Sequence, residues 1–299
     1  MTMIRAFHSD RYRVRLLDDH PFPIEKYRLV RKGLLEEKLV DRLEEAQPVD
    51  PRVLGLVHTS EYLERAFRGE LSHEELRRLG LPWSEELVLR ASASVGGTIE
   101  AAWAALEGGV GANLGGGTHH AFPDRGEAFC LFNDIAIAVR LLQQRKAVER
   151  IAIIDLDVHQ GDGTAAALRY DPGVFILSIY CEDNFPAKKV KTDIGIGLPE
   201  GTGDEEYLEE LKRCLPRALQ FEPEVLFYQA GVDPLKEDTL GRLSLTHEGL
   251  KERDRLVLGA CGEAGLPVVI TLGGGYARPI TATVEAYLNT FRVARELFG

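Results

Sequence analysis

The segment Asp155-Leu156-Asp157-Val158-His159 alternates ionisable and apolar side chains. At the two-residue period of an extended strand, Asp155, Asp157 and His159 project from one side. Two carboxylates and an imidazole beside a buried strand are costly unless a cation neutralises them, and Asp and His both ligate Zn²⁺. For this triplet alone the alternative is a solvated strand end with helix-capping aspartates. Asp233, after Gln229-Ala230-Gly231-Val232 and before Pro234, reads by itself as a turn or N-cap residue. As a third ligand it would complete Asp157, His159 and Asp233. Three protein ligands leave a coordination position for water or substrate, the pattern of a catalytic rather than a structural zinc.

His119-His120 follows the turn Gly115-Gly116-Gly117-Thr118, whose glycines permit close backbone approach. A His pair alone is more often structural. Asp155 and Asp162, however, are free to orient one histidine each, as carboxylates do for catalytic imidazoles, and His is the usual general base near neutral pH. Gly273-Gly274-Gly275-Tyr276 lacks both GxGxxG and GxxxxGK[ST], which argues against a phosphate-cradling loop. A Tyr on that glycine-lined edge could donate its hydroxyl to a developing oxyanion; otherwise it is a packed aromatic.

The elements that must position these residues are legible from apolar periodicity. Short runs rich in Val, Ile and Leu occur at 110–114, 151–154, 174–179, 225–228 and 267–272, with lengths that suit strands buried on both faces. Helical patterns cover 23–45, 84–107, 133–146, 205–220, 247–264 and 281–297. This alternation predicts an α/β fold, with one open, mainly parallel sheet and helices on both faces. The unusual residues all follow strand candidates. Open α/β sheets bind ligands beyond the carboxyl ends of their strands, so four such ends point to one shared site.

Composition limits the function. The 299 residues are 44% hydrophobic and 28% charged, ordinary for a globular chain that buries a large core. Lys+Arg number 36 against 47 Asp+Glu, a net charge of −11, and no basic stripe is visible. Direct nucleic-acid binding and an anionic membrane surface are therefore disfavoured; the Arg/Glu-rich stretch 61–78 reads as a solvated helix face. No apolar run resembles a signal peptide or reaches the length of a membrane span. Cys130, Cys181, Cys214 and Cys261 are widely spaced with no CxxC, so a reducing, cytoplasmic setting is expected. The whole of 1–299 is expected to form a single catalytic domain.

The segments GGGTHHAFPDRGEAFCLFND, IAIIDLDVHQGDGT, QAGVDPLKEDTLGRLSLT and TLGGGY, in this order, resemble the histone deacetylase superfamily. That group includes classical deacetylases, acetoin-utilisation proteins and acetylpolyamine amidohydrolases, and shares an arginase/deacetylase-like architecture. The resemblance spans roughly residues 15–290. It implies that Asp157, His159 and Asp233 hold a divalent metal, Zn²⁺ by default with Fe²⁺ also compatible. It implies that His119 and His120 are the tandem catalytic histidines, facing Asp155 and Asp162, and that Tyr276 stabilises the oxyanion. Phe129 would form one wall of an acyl-lysine tunnel and Phe185 the opposite wall, with Gly274 and Gly275 along it. A structural K⁺ or Na⁺ would sit among Asp155, Asp157, Ser178 and the backbone of His159. The implied reaction removes an acetyl or other acyl group from an amine, such as acetyl-lysine or an acetylated polyamine. A histidine, chiefly His120, would take a proton from the attacking water and return it to the leaving amine.

Three departures from the family pattern stand out. His159-Gln160-Gly161 replaces the commoner His-His-Gly, as in the class IV branch. Ala128 replaces the Gly before the tunnel Phe, which is expected to narrow the channel. The stretch Leu79-Gly80-Leu81-Pro82-Trp83-Ser84 lacks the acidic rim residue with which classical deacetylases clamp a peptide backbone. Two other readings compete. An arginase-like ureohydrolase would need a denser Asp/His set for two Mn²⁺ ions, and the second strand offers only Asp233. An inactive acyl-amine binding module would need a broken constellation, and every residue of this one is present.

Overall fold

The structure, a computed structural model, describes residues 2–12, 14–17 and 20–299. Its strands are β1 (Met3–His8), β2 (Arg42–Glu45), β3 (Gly109–Asn113), β4 (Ile151–Asp155), β5 (Val174–Cys181), β6 (Ile194–Leu198), β7 (Val225–Gln229) and β8 (Val268–Thr271). Its helices are α1 (Glu25–Glu36), α2 (Pro51–Leu54), α3 (Ser60–Arg68), α4 (His73–Leu79), α5 (Glu85–Gly108), α6 (Asp134–Gln144), α7 (Asp162–Leu168), α8 (Asp204–Gln220), α9 (His247–Ala264) and α10 (Ile280–Phe298). The strands form one sheet in the order β2-β1-β3-β8-β7-β4-β5-β6, and every pairing is parallel.

Strand alternation divides the interior in two. Ile4, Val110, Ile154, Leu177, Tyr228 and Ile270 face one side and pack against α1, α8, α9 and α10. Phe7, Ile153, Ile176, Phe227 and Val269 face the other and pack against α2 to α7. Their neighbours along each strand are buried as well, which is why these strands read as continuous apolar runs. Helices therefore cover both faces, as the α/β pattern predicts. Among the described residues no helix is long and apolar enough to cross a membrane.

The helix expected over 23–45 is shorter. It ends at Glu36, the backbone turns at Lys38 (φ 55), and Arg42–Glu45 becomes the edge strand β2. Arg42, Glu44 and Glu45 are tolerated there because an edge strand leaves its charged side chains in water, where they also deter further pairing. The stretch 61–78 is likewise not one helix face: Gly69 (φ 71) separates α3 from α4. Strands β1 and β6 and helix α7 escaped the periodicity reading. They are short, and β6 alternates Ile with Gly rather than forming an apolar run.

The consequence for function is positional. Chain order reverses at the middle of the sheet, where the late strands β7 and β8 lie between β3 and β4. The carboxyl ends of β3, β8, β7 and β4 are thus consecutive, and a crevice forms beyond such a reversal.

Candidate active site

Strand β4 ends at Asp155, which lies opposite Ser178 on β5 and Gln229 on β7. Beyond it the chain carries Asp157 and His159. The Nδ1 of His159 lies 3.1 Å from Asp157 Oδ1 and 3.0 Å from Asp233 Oδ2. Asp157 and Asp233 are fully buried. Asp157, His159 and Asp233 each offer one ligand atom, and these three atoms all lie within 4.8 Å of one another. Ligand atoms around a tetrahedral zinc at about 2.0–2.1 Å stand about 3.3 Å apart, so this donor set fits a divalent ion closely. The electrostatics point the same way. Burial opposes a charge on His159, yet Asp157 and Asp233 hold its imidazole up to about 10. Burial and the Asp157 charge push Asp233 up to about 7. The two acids draw positive charge to this point.

The local backbone explains how two buried carboxylates are held. Asp157 Oδ2 accepts the Gly274 N–H at 2.8 Å, Asp157 Oδ1 accepts the His159 N–H at 3.0 Å, and Asp233 Oδ1 accepts the Val158 N–H at 2.9 Å. The β8 turn comes this close because residue 274 is glycine: a Cβ there would stand 2.0 Å from Asp233 Oδ2.

His119 and His120 stand beside this cluster, their ring centroids 4.1 Å apart. His119 Nδ1 pairs with Asp155 Oδ2 at 2.8 Å and His120 Nδ1 with Asp162 Oδ1 at 2.7 Å. The two imidazoles differ in charge. Burial lowers both, but Asp155 and Asp157 hold His119 up to about 9, whereas burial and the neighbouring His119 charge take His120 down to about 4. Tyr276 closes the arrangement, its ring 6.4 Å from that of His159. Burial, with Asp233 and Asp157 nearby, raises its hydroxyl well above the usual phenol range. It stays an O–H donor.

A cavity of about 40 Å³ joins these groups, lined by His119, His120, Asp157, His159, Gly274 and Tyr276. Phe129 and Ala128 line it too. Both adopt left-handed backbone, φ 68 and 44, which Ala takes less readily than the expected Gly. Phe129 is held there by its N–H on the Leu79 carbonyl at 2.7 Å. Phe185 stands edge-on to His120, centroids 5.0 Å apart, and is 38% exposed. Gly275 lies behind the cavity, its carbonyl turned to Lys26. The Ser178 hydroxyl is buried and has no hydrogen-bond partner among the described residues, as a hydroxyl kept for a monovalent cation beside Asp155 would be.

Several supporting residues were not singled out by sequence. Buried Lys26 donates to the carbonyls of Gly273 (2.9 Å) and Gly275 (3.3 Å). Asp238 accepts the Tyr276 N–H at 2.6 Å, and the Thr239 hydroxyl donates to the Tyr276 carbonyl at 2.8 Å. Gln229 ties the turns together, donating to Gly117 O at 2.9 Å and accepting the Thr271 hydroxyl at 2.5 Å. Buried Arg253 donates to Gly231 O and Leu156 O at the ends of β7 and β4. Only Gln229, Asp238 and Thr239, inside the segments that carry the resemblance, had any sequence signal.

Similarity to known proteins follows the same outline. Residues 20–291 match the histone deacetylase domain. The chain is 45% identical to an uncharacterized protein of Picosynechococcus sp., over 98% of both chains. It is 33% identical to histone deacetylase 2 of Arabidopsis thaliana, covering 89% of this chain and 73% of the relative. It is 32% identical to the acetoin utilization protein AcuC of Bacillus subtilis, covering 86% and 73%. The HDA15 HD domain superposes with a TM-score of 0.82 at 22% identity, over 99% of this chain and 89% of that one, and shares the fold. The chain belongs to the histone deacetylase family.

Proposed function

We propose that the chain, as one catalytic domain, is a metal-dependent amidohydrolase that removes an acetyl or related acyl group from an amine, an acetylated lysine or a small acetylated amine. The observation that carries this reading is the convergence of Asp157, His159 and Asp233 on one point, with both histidines and Tyr276 around the same cavity. Those three residues would hold a divalent ion, Zn²⁺ by default and Fe²⁺ by the same ligand chemistry. Bound there, such an ion polarises the acyl carbonyl and lowers the pKa of a water molecule.

The chain's own groups do the rest. His120, oriented by Asp162, takes the proton of the attacking water and returns it to the departing nitrogen. Its pairing through Nδ1 leaves Nε2 for that transfer. His119, paired with Asp155, supplies positive charge beside the developing oxyanion. The Tyr276 hydroxyl donates to the same oxygen, a role suited to a phenol that does not ionise. Phe129 and Gly274 would flank the acyl-bearing chain, with Phe185 and Gly275 further along its path. K⁺ or Na⁺ would occupy the pocket of Asp155, Asp157, Ser178 and the His159 backbone. Four free, buried cysteines suit a reducing compartment such as the cytoplasm.

The test is acetate release from acetyl-lysine peptides, acetylpolyamines and small acetamides, with metal analysis of the same sample. Release from at least one is expected. Tyr276→Phe should keep its metal and lose about 2–4 kcal/mol of barrier lowering, roughly 30- to 1000-fold in kcat. Unchanged turnover in that variant would remove the tyrosine from the mechanism. Tight ligand binding without acetate release, in metal-replete protein, would favour a binding module instead.

A further inference from the structure

A cleft of about 1600 Å³ adjoins the cavity around Tyr276, and Phe22 and Tyr276 line both. An acyl-lysine whose amide reaches His159 would bring its α-carbon into this cleft. Arg90, on α5, lines it. The residue is 8% exposed, and its guanidinium lies over the Tyr27 ring, 4.5 Å from the centroid. Among the described residues it has no hydrogen bond and no carboxylate within 4.0 Å. The guanidinium nitrogens are not among the sealed polar atoms that lack a partner, so they reach solvent at the cleft wall while the flat group rests on Tyr27.

The rest of the cleft keeps the same sign. Arg15, Arg28 and Arg278 line it, against Asp10, Glu25 and Glu86. Asp10 is taken up by His8 and Arg31, and Glu25 by Arg28. Glu86, one helical turn before Arg90, is exposed and forms no ion pair with it. Among the described residues, Arg15, Arg90 and Arg278 are therefore left over, opposed by Glu86 alone. The stretch 79–84, where a classical relative clamps its substrate with an acid, contains no carboxylate.

From this we infer that Arg90 is the centre of an anion subsite at the mouth of the active site, and that the substrate carries a carboxylate near its acylated amine. The inference rests on the amidohydrolase reading for its orientation. It separates the substrate classes left open above. An acetylated amino acid, or a peptide ending in acyl-lysine, would present its carboxylate to Arg90. Arg-carboxylate pairing is charge-assisted and commonly bidentate. An acetylpolyamine would present an ammonium to the same arginines.

The experiment compares two non-hydrolysable probes on the metal-loaded protein by calorimetry. Both are Nα-benzoyl acetyl-lysines in which the amide nitrogen is replaced by CH₂; one is the free acid, the other the α-carboxamide. The free acid should bind about tenfold more tightly or better, and Arg90→Gln should bring that ratio close to one. Arg90→Lys should retain part of it. Arg278→Gln should reduce the ratio more weakly and serves if Arg90→Gln does not fold. A ratio near one in the wild type overturns the inference, as does an unchanged ratio in Arg90→Gln. If the ratio holds while no acylated amine is hydrolysed, the anion subsite stands and the amidohydrolase reading falls. Acetate release with a ratio of one has the reverse meaning.

Discussion

Asp134, fully buried at the start of α6, carries the turn before the tandem histidines on four hydrogen bonds. Its Oδ1 accepts the Thr118 N–H and hydroxyl, each at 2.7 Å, and its Oδ2 accepts the Gly117 N–H at 2.9 Å and the Thr98 hydroxyl at 2.5 Å. Asp134→Asn keeps the shape but supplies only one acceptor oxygen. Whichever way the amide turns, its NH₂ faces either the Gly117 or the Thr118 N–H. The hydroxyls can rotate away; a backbone N–H cannot. One buried donor is left unpaired, at about 1–3 kcal/mol, and the two surviving bonds lose charge assistance worth about 1 kcal/mol each. The expected loss is about 3–5 kcal/mol, a large part of a domain's usual 5–15 kcal/mol. Urea unfolding should show a lower midpoint at unchanged m, and hydrolysis should fall because His119 follows Thr118 directly. A loss under about 1 kcal/mol would refute the argument that these four bonds hold the turn.

Other perturbations act on separate parts of the molecule. Asp157→Ala or Asp233→Ala should lose metal and activity together; full metal content in either, by elemental analysis, would show the ligands to be misassigned. Gln160 pairs with the Val190 backbone through both amide atoms, at 2.9 and 2.7 Å, and so holds the loop that carries Phe185. Gln160→Leu removes about 1–2 kcal/mol of pairing and should raise KM with metal content retained; a fall in kcat alone would place its role at the ion. Burial takes His58 down to about 4, and its Nε2 accepts the Asn133 N–H at 3.0 Å. Between pH 6.5 and 4 the unfolded chain binds the extra proton, so stability is full above about 6.5 and is lost as pH falls, by about 3 kcal/mol in total. Urea unfolding at stepped pH should show a shallower loss over this window in His58→Gln, and an identical profile would exclude His58 as the source.

The sheet was legible because its central strands are buried on both faces and read as unbroken apolar runs. Ile151–Asp155 and Val225–Gln229 differ from the sequence reading by a single residue at the end. The edges were not legible: β2 is RLEE and β6 is IGIGL, and an edge strand needs no hydrophobic signature. At the site, residues that face the reacting atoms were visible because ionisable groups beside apolar strands demand an explanation. Those that act through backbone were hidden. Lys26 and Arg253 lie on helices amid ordinary charged residues, and nothing in a helical pattern says that such a side chain will end on a distant carbonyl. Arg90 was hidden for the same reason, on a helix whose Glu85 and Glu86 make another charge unremarked. Phe185 and Gly275 mark the other limit, since neither lines the cavity beside Asp157 and His159.

The strand order has a consequence for how the protein is born. The ribosome completes β3 and β4 first, yet in the sheet they are kept apart by β7 and β8, which emerge after them. A nascent chain that has reached Asp204 already contains both histidines, Asp157 and His159, but the gap between their two supports has not been filled. Pairings of such long sequence separation close slowly. The candidate site therefore comes together only after β8 has emerged, when Val268–Thr271 slots between its neighbours and draws the two earlier halves together.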